Sequence, residues 1–230
     1  MMDSQKELPE VPEKPAPWQL TGTGWIVALR LAADSPIRDA FLPPDLAGRS
    51  RGFASFLMFV DYEQSACGPY RELLFIPGSL PFPDGRRHLS ISRIVVSTWD
   101  SVVNGRRNWG IPKDRADFDV AYSVDGGRED RIQVSSEGRQ LCSLCFEASP
   151  VPLRFPVSTA WLPRSLLGLA QRDDTRTYYF TPDASGKVRP GRVLDWKFDY
   201  RLFPDLEESV VLGAFKVESF QMTFPAARIV

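Results

Sequence analysis

Short apolar runs separated by turn signals make up most of the chain after residue 17, and this pattern favours strands over helices. Gly24–Leu31 is the first such run, and Arg51–Tyr62 is apolar on both faces, so we expect the latter to be a central strand. The turns VDGG and SSEG, at 124–127 and 135–138, separate three later runs. Further strands are predicted over Pro69–Ile76, Arg86–Ser97, Ala116–Val124, Arg131–Ser135, Leu141–Glu147, Thr175–Phe180, Arg192–Leu202 and Ala214–Phe224.

Three short segments predict helices. One begins at Ser35, has proline at the next position and ends at the Pro43-Pro44 pair. The next covers Ser101–Trp109, with Asp100 as its N-cap. It ends at Gly110, because the proline two residues later blocks its continuation. The third is Ser165–Leu169.

The alternation of strands and turns predicts a mainly β protein, α+β at most. We expect a single domain over residues 18–230, with a curved, barrel- or cone-like antiparallel sheet and a few short helices. The proline-rich residues 1–17 are predicted to form a flexible N-terminal segment. Neither a repeat nor a linker divides the rest of the sequence.

The composition is that of a globular protein. The 230 residues are 43% hydrophobic and carry a formal net charge of -1, which excludes a disordered chain and gives no reason to expect nucleic acid or a membrane as partner. The sequence contains neither a signal-peptide pattern nor an apolar run long enough to span a membrane. We therefore expect a cytoplasmic protein with reduced thiols.

The cysteines and the histidine make a weak case for a metal site. The chain has Cys67, Cys142, Cys145 and a single histidine, His88, whereas structural zinc needs four ligands. Cys142 and Cys145 lie three positions apart in a predicted strand, so their side chains point to opposite faces. We expect buried core cysteines and a structural or exposed histidine.

Lysine is rare in this chain, since only six of the 28 basic residues are lysine and Lys113 is the only one between positions 15 and 186. One explanation is a compositional bias towards arginine. The other is that the chemistry needs an amine, because lysine loses its proton readily when buried and arginine does not.

The segment Asp100–Asp114 gives Lys113 a specific setting. A helix leads into a tight Gly–Ile–Pro turn, and Lys113 follows at the start of a strand, with Trp109, Ile111 and Phe118 as an apolar wall. Desolvation there would favour a neutral amine, which attacks ketones and aldehydes to form a Schiff base. The alternative is a surface lysine that interacts with the helix dipole.

The segments Cys67–Pro77 and Asp100–Asp114 together resemble the acetoacetate decarboxylase family. That family has Gly-Arg-Glu on a helix, then Gly-x-Pro-Lys-Lys, and an upstream Gly-x-Tyr-x-Glu strand. The matching residues here are Gly105, Arg106, Gly110, Pro112 and Lys113, with Gly68, Tyr70 and Glu72 upstream.

The resemblance implies a Schiff-base role for Lys113 and a role in binding or proton transfer for Glu72. We predict that Tyr70, Arg106 and Trp109 bind substrate. For Glu72 a solvent-facing position, or a pairing with Arg71 or Arg106, is the alternative.

The chain departs from the family pattern at several positions. Asp114 replaces the second lysine, and Arg107 replaces the glutamate that follows Gly-Arg. A second pocket glutamate falls at Leu57, and the arginine that binds the substrate carboxylate is missing around Leu20–Gly22. Because neighbouring strand residues face opposite sides, we predict that Asp114 points away from the pocket.

The sequence therefore predicts a Schiff-base-forming lyase that acts on a small keto acid or related carbonyl compound, by decarboxylation or by aldol or dehydration chemistry. The loss of the carboxylate-binding arginine makes acetoacetate itself doubtful as its substrate. The prediction involves no cofactor and no metal, and the resemblance implies a homo-oligomer. The alternative is a non-catalytic member of the same fold that binds a small ligand.

Overall fold

The computed structural model describes residues 8–123, 127–151 and 153–230. It contains two α-helices, α1 (Trp99–Trp109) and α2 (Arg164–Leu167), and 3₁₀ turns at Pro36–Arg38, Pro44–Leu46 and Thr159–Trp161. The strands are β1 (Trp18–Arg30), β2 (Ser55–Gln64), β3 (Tyr70–Ile76), β4 (Ser79–Pro81), β5 (Arg87–Leu89), β6 (Arg93–Val96), β7 (Lys113–Arg115), β8 (Asp117–Ala121), β9 (Glu129–Ser136), β10 (Arg139–Ala148), β11 (Phe155–Ser158), β12 (Leu169–Arg172), β13 (Thr177–Phe180), β14 (Asp183–Phe198), β15 (Val210–Phe224) and β16 (Arg228–Ile229).

Most of these strands belong to one large sheet, in the order β7-β6-β3-β2-β1-β15-β14-β10-β9-β8, with β11 added beside β14. A smaller sheet has the order β16-β13-β12-β5-β4. The mainly β prediction is confirmed. The prediction of a barrel is not, because β7 and β8 end the large sheet without pairing to each other in the described part of the chain. The sheets are also mixed, since β6 pairs with β7 and β5 with β12 in parallel.

The central strands β1, β2 and β3 are covered on both faces. In β2, Leu57 and Phe59 pack into one core, while Met58 and Tyr62 point into a second cluster on the other side. This follows from the two-residue period of a strand, and it explains why the segment is apolar on both faces. The first core is close-packed, and the second surrounds the cavity described below.

Several predicted boundaries are corrected by the structure. Arg86–Ser97 is not one strand, because the chain leaves the small sheet after Leu89 and enters the large sheet at Arg93. Regular alternation continues across this change of sheet, so the sequence pattern does not reveal it. The N-cap of α1 is Thr98 and not Asp100, which lies in the first turn. The predicted turn at 124–127 lies largely outside the described residues.

The N-terminal segment contacts α1 directly. The backbone N–H of Lys14 donates to Asn104 Oδ1 at 2.8 Å, and Asn108 Nδ2 donates to the carbonyl of Lys14 at 2.7 Å. Residue 14 is thus fixed against the helix that precedes Lys113, although the domain boundary at residue 17 stays a prediction. No helix in the described residues is long and apolar enough to cross a membrane.

Candidate active site

A cavity of about 410 Å³ opens between the large sheet, the end of α1 and the segment that carries β11 and α2. Its walls come from β1, β2, β3, β6, β14 and β15, and most of the lining side chains are apolar. Lys113 and Glu72 are the only charged side chains among the described residues that line it. The volume is within the range of small-molecule sites.

Lys113 enters this cavity from the first position of β7. Gly110 ends α1 in the left-handed conformation at φ 61°, and the chain then turns through Ile111 and Pro112 into β7. β7 pairs in parallel with β6, so Lys113 lies beside Ile94 and shares its apolar side of the sheet.

The side chain of Lys113 runs back across α1 at Gly105. A Cβ atom added to Gly105 would lie 2.7 Å from Lys113 Cδ and 2.9 Å from Cε. Glycine in the middle of a helix costs about 0.5–1 kcal/mol relative to alanine. Gly105 therefore destabilises the helix slightly, but it leaves the space that the Lys113 side chain occupies.

Glu72 and Lys113 form a buried ion pair. Lys113 Nζ lies 2.7 Å from Glu72 Oε2 and donates to Ser101 Oγ at 3.1 Å. Both charged side chains are only 5% exposed. Tyr62 donates its hydroxyl proton to Glu72 Oε1 at 3.3 Å, and the Tyr70 ring centroid lies 5.2 Å from Nζ. The structure thus brings Lys113, Glu72 and Tyr70 together as predicted, and adds Tyr62 and Ser101.

The charge state of Lys113 in the free protein differs from the prediction. Burial by itself lowers the pKa of Lys113, but the Glu72 carboxylate and Tyr70 outweigh it and hold that pKa above its usual value. The predicted neutral amine is therefore wrong for the empty site, because the fold places a carboxylate beside the lysine and desolvation alone does not set its charge.

Two phenols adjoin the pair. Burial and the Glu72 carboxylate raise the pKa of Tyr62 well above its usual value, and burial raises the pKa of Tyr70 to about 12. Both hydroxyls keep their protons near neutral pH and are hydrogen-bond donors there.

Asp114 points away from the cavity, as predicted. Its carboxylate forms ion pairs with Arg93 and, at 2.8 Å, with Arg106 Nη2. Arg106 also donates through Nε to the backbone carbonyl of Lys113 at 2.8 Å. Arg106 does not line the cavity, and this corrects its predicted contact with substrate. Arg106, on α1, instead holds β7 through contacts on the side away from the cavity.

The predicted apolar wall is partly correct. Trp109 and Ile111 line the cavity, and the Trp109 indole packs edge-on against Trp18 at 4.9 Å between ring centroids. Phe118 instead packs against Phe59 on the other side of the sheet. Leu57 also lies on that side, so the position aligned with a second glutamate faces the close-packed core.

Tyr62 and Ser101 were missed in the sequence. Ser101 and Gly105 are four residues apart on α1 and so share a helix face, which is a signal that could have linked the serine to the lysine. Tyr62 pairs across the strands with Tyr70, but this register becomes visible only once β2 and β3 are aligned.

The cysteines and His88 do not line the cavity. Cys142 is buried, whereas Cys67 and Cys145 are half-buried, so only one of the two Cys142–Cys145 thiols is a core residue. His88 Nε2 lies 2.8 Å from Asp84 Oδ2, a carboxylate four residues earlier in the sequence. Among the described residues, no cluster of three histidine, cysteine or acidic side chains is arranged to hold a metal.

Solved structures share this architecture. An acetoacetate decarboxylase from Legionella pneumophila has a TM-score of 0.72 at 13% identity and covers 99% of this chain and 93% of its own. An acetoacetate decarboxylase-like enzyme from Sphingomonas wittichii RW1 has a TM-score of 0.67 at 14% identity, with 94% of each chain covered. The enduracididine biosynthesis enzyme MppR, bound to the condensation product of pyruvate and imidazole 4-carboxaldehyde, has a TM-score of 0.66 at 20% identity. It covers 94% of this chain and 90% of its own.

No family model matches the sequence, and no curated protein matches it either. At identities of 13–20%, the structural similarity establishes the fold alone. The chain therefore has the fold of the acetoacetate decarboxylase-like enzymes, which the residues around Lys113 and Glu72 predicted.

Proposed function

We propose that this protein is an enzyme that forms a Schiff base between Lys113 and a carbonyl substrate and uses it to break or form a bond beside the carbonyl carbon. One observation carries the proposal. Lys113 Nζ lies in an apolar cavity, 2.7 Å from a carboxylate that can take its proton and return it. The sequence comparisons leave the substrate open.

The first step is a proton transfer within the pair. In the empty site Lys113 is an ammonium ion beside the Glu72 carboxylate, and this ion is not a nucleophile. Moving one proton along the 2.7 Å hydrogen bond gives a neutral amine and a carboxylic acid without changing the net charge. A substrate that displaces water from the cavity favours this form, because an ion pair gains less in an apolar site.

The neutral amine then attacks the carbonyl carbon, and its lone pair forms the new C–N bond. Proton transfer from nitrogen to oxygen gives a carbinolamine. Glu72, now a carboxylic acid, protonates the hydroxyl group, which leaves as water. The product is an iminium ion, and Glu72 is again a carboxylate at its side.

The iminium ion accepts the electron pair of the bond that breaks next to it. Loss of carbon dioxide from a β-keto acid, or cleavage of an aldol, leaves an enamine on Lys113. Tyr62 and Tyr70 lie beside the pair as proton-bearing phenols, and we propose that they stabilise the oxygen of the carbinolamine by hydrogen bonding.

Reductive trapping tests the proposal. We expect incubation with ketones, aldehydes and keto acids, followed by borohydride, to give a mass adduct mapped to Lys113. Lys113→Met and Lys113→Arg should abolish it, since neither side chain supplies a neutral amine. Lys197→Met, which removes an exposed lysine, is the matched control. Absence of adducts from the whole panel, or adducts that persist in both variants, would refute Schiff-base chemistry.

A second candidate is a binding protein without turnover. The raised pKa of Lys113 favours it, because an amine that keeps its proton holds a ligand carbonyl only by hydrogen bonding. Ligand binding that is unaccompanied by any trapped adduct would support this reading.

A further inference from the structure

We infer that the substrate is an uncharged, largely apolar ketone or aldehyde rather than a keto acid. The inference rests on the proposed function, because it concerns the molecule that Lys113 attacks. The charge and the size of the cavity decide which carbonyl compounds it can hold.

The charges in the cavity are already balanced. Lys113 and Glu72 neutralise each other at 2.7 Å, and no other lysine or arginine in the described residues lines the walls. A substrate carboxylate would therefore enter an apolar site without a cation of its own, and it would also repel Glu72. A buried anion without a partner is strongly disfavoured.

The nearby arginines are occupied elsewhere. Arg93 and Arg106 form ion pairs with Asp114 on the outer side of β7. Arg93 also donates to the backbone carbonyl of Leu202 at 2.8 Å. Neither guanidinium reaches a carboxylate beside Lys113 without giving up these contacts.

The size of the cavity points to a larger body than that of a three-carbon acid. A volume of about 410 Å³ equals the liquid volume of about fourteen water molecules, at about 30 Å³ each. Leu20, Met222 and Phe224 are among the apolar side chains that such a body would contact. An alkyl or aryl chain gains free energy from this burial, whereas pyruvate would leave most of the wall uncovered.

A matched pair of ketones tests the inference. Heptyl methyl ketone is compared with the keto acid of equal chain length, in which a carboxylate replaces the terminal methyl group. We expect the ketone to be trapped on Lys113 at least about tenfold faster, where each tenfold corresponds to about 1.4 kcal/mol. Equal or faster trapping of the acid overturns the inference and leaves the Schiff base intact.

Binding measurements with the same two compounds distinguish a failure of the Schiff-base proposal from a failure of the inferred ligand class. Trp18 and Trp109 line the cavity, so tryptophan fluorescence reports occupancy without chemistry. If neither compound is trapped, the proposed function fails. Binding of the ketone about tenfold tighter than the acid still supports the ligand class, and equal binding overturns it.

A cation introduced into the cavity supplies an independent check. Met222 is half-buried at the wall, and Met222→Arg adds a permanent positive charge that matches a carboxylate without adding an amine. We expect the preference to shift towards the acid by about tenfold, whereas Met222→Leu keeps the preference for the ketone. An unchanged preference in a folded Met222→Arg variant contradicts the charge argument, and the wild-type comparison decides the matter if that variant does not fold.

Discussion

Glu72 has two effects on Lys113, and two measurements on one variant distinguish them. The carboxylate raises the pKa of the lysine, and the proposed mechanism also uses it as the acid that expels water. Glu72→Gln removes both, while the burial that lowers the lysine pKa remains. Lys113 should then lose its proton at a lower pH than in the wild-type protein.

We therefore expect the pH midpoint of cyanoborohydride trapping to fall in Glu72→Gln. Turnover should fall by about 10²–10⁴-fold because the general acid is lost. Ser101→Ala, which removes a neutral acceptor from Nζ, is the control and should move the midpoint less. A midpoint that stays in place would mean that the carboxylate does not govern the charge of Lys113.

Gly105 tests whether the path of the lysine side chain matters. Gly105→Ala places a methyl group 2.7 Å from Lys113 Cδ, so the lysine has to move away from Glu72. We expect trapping to slow by about tenfold or more, since small displacements of a reacting group cost up to 10²-fold. Arg107→Ala on the exposed face of α1 is the control for helix propensity, and equal trapping rates in both variants would disprove the steric argument.

At the scale of the element, β7 is held in place from outside the cavity. Asp114 joins Arg93 and Arg106, and Arg106 also binds the Lys113 carbonyl, so the short strand is fastened to both β6 and α1. Arg93 is nearly buried, with 7% of its side chain exposed, and therefore depends on the Asp114 charge.

Asp114→Asn should consequently affect stability more than chemistry. We expect a loss of roughly 1–3 kcal/mol in the free energy of unfolding, because a buried guanidinium loses a charged partner. The trapping rate per folded molecule should stay close to that of the wild-type protein. Urea unfolding together with adduct mass spectrometry measures both, and a large loss of trapping at unchanged stability would place Asp114 in the chemistry instead.

Local patterns in the sequence predicted part of this arrangement. The period-two runs gave the major strands, and the helix-to-turn signal around Gly110 placed Lys113 at the start of a strand. They did not predict β7 beside β6, which is a parallel pairing of distant segments, or the change of sheet after Leu89. The Lys113–Glu72 ion pair spans 41 residues and depends on that pairing, so the charge of the lysine could not be inferred from its neighbours in sequence.

For the whole molecule, the central strands separate two lysine–carboxylate pairs, one of them buried and the other with a lysine side chain that is 21% exposed. Lys113 and Glu72 face the cavity. Lys216 Nζ lies 2.7 Å from Asp130 Oδ2 on the side of the close-packed core, and Trp25 Nε1 donates to the same oxygen at 2.9 Å. Lys216 does not line the cavity, so no substrate reaches it there. The nitrogen–oxygen distance is 2.7 Å in both pairs, but only the Lys113–Glu72 pair adjoins the cavity.

Substituting each lysine in turn should therefore show which of the two pairs carries the chemistry. Lys216→Met leaves Asp130 fully buried without its cation and should cost about 3 kcal/mol of unfolding free energy, while a folded sample still traps ketone on Lys113. Lys113→Met should also cost about 3 kcal/mol, because it leaves Glu72, only 5% exposed, without its cation although Tyr62 still donates to it, and it should abolish trapping. Urea unfolding curves and adduct mass spectra of the two variants measure both effects. Trapping that is lost in folded Lys216→Met, or that persists in Lys113→Met, would contradict the assignment of the chemistry to the pair in the cavity.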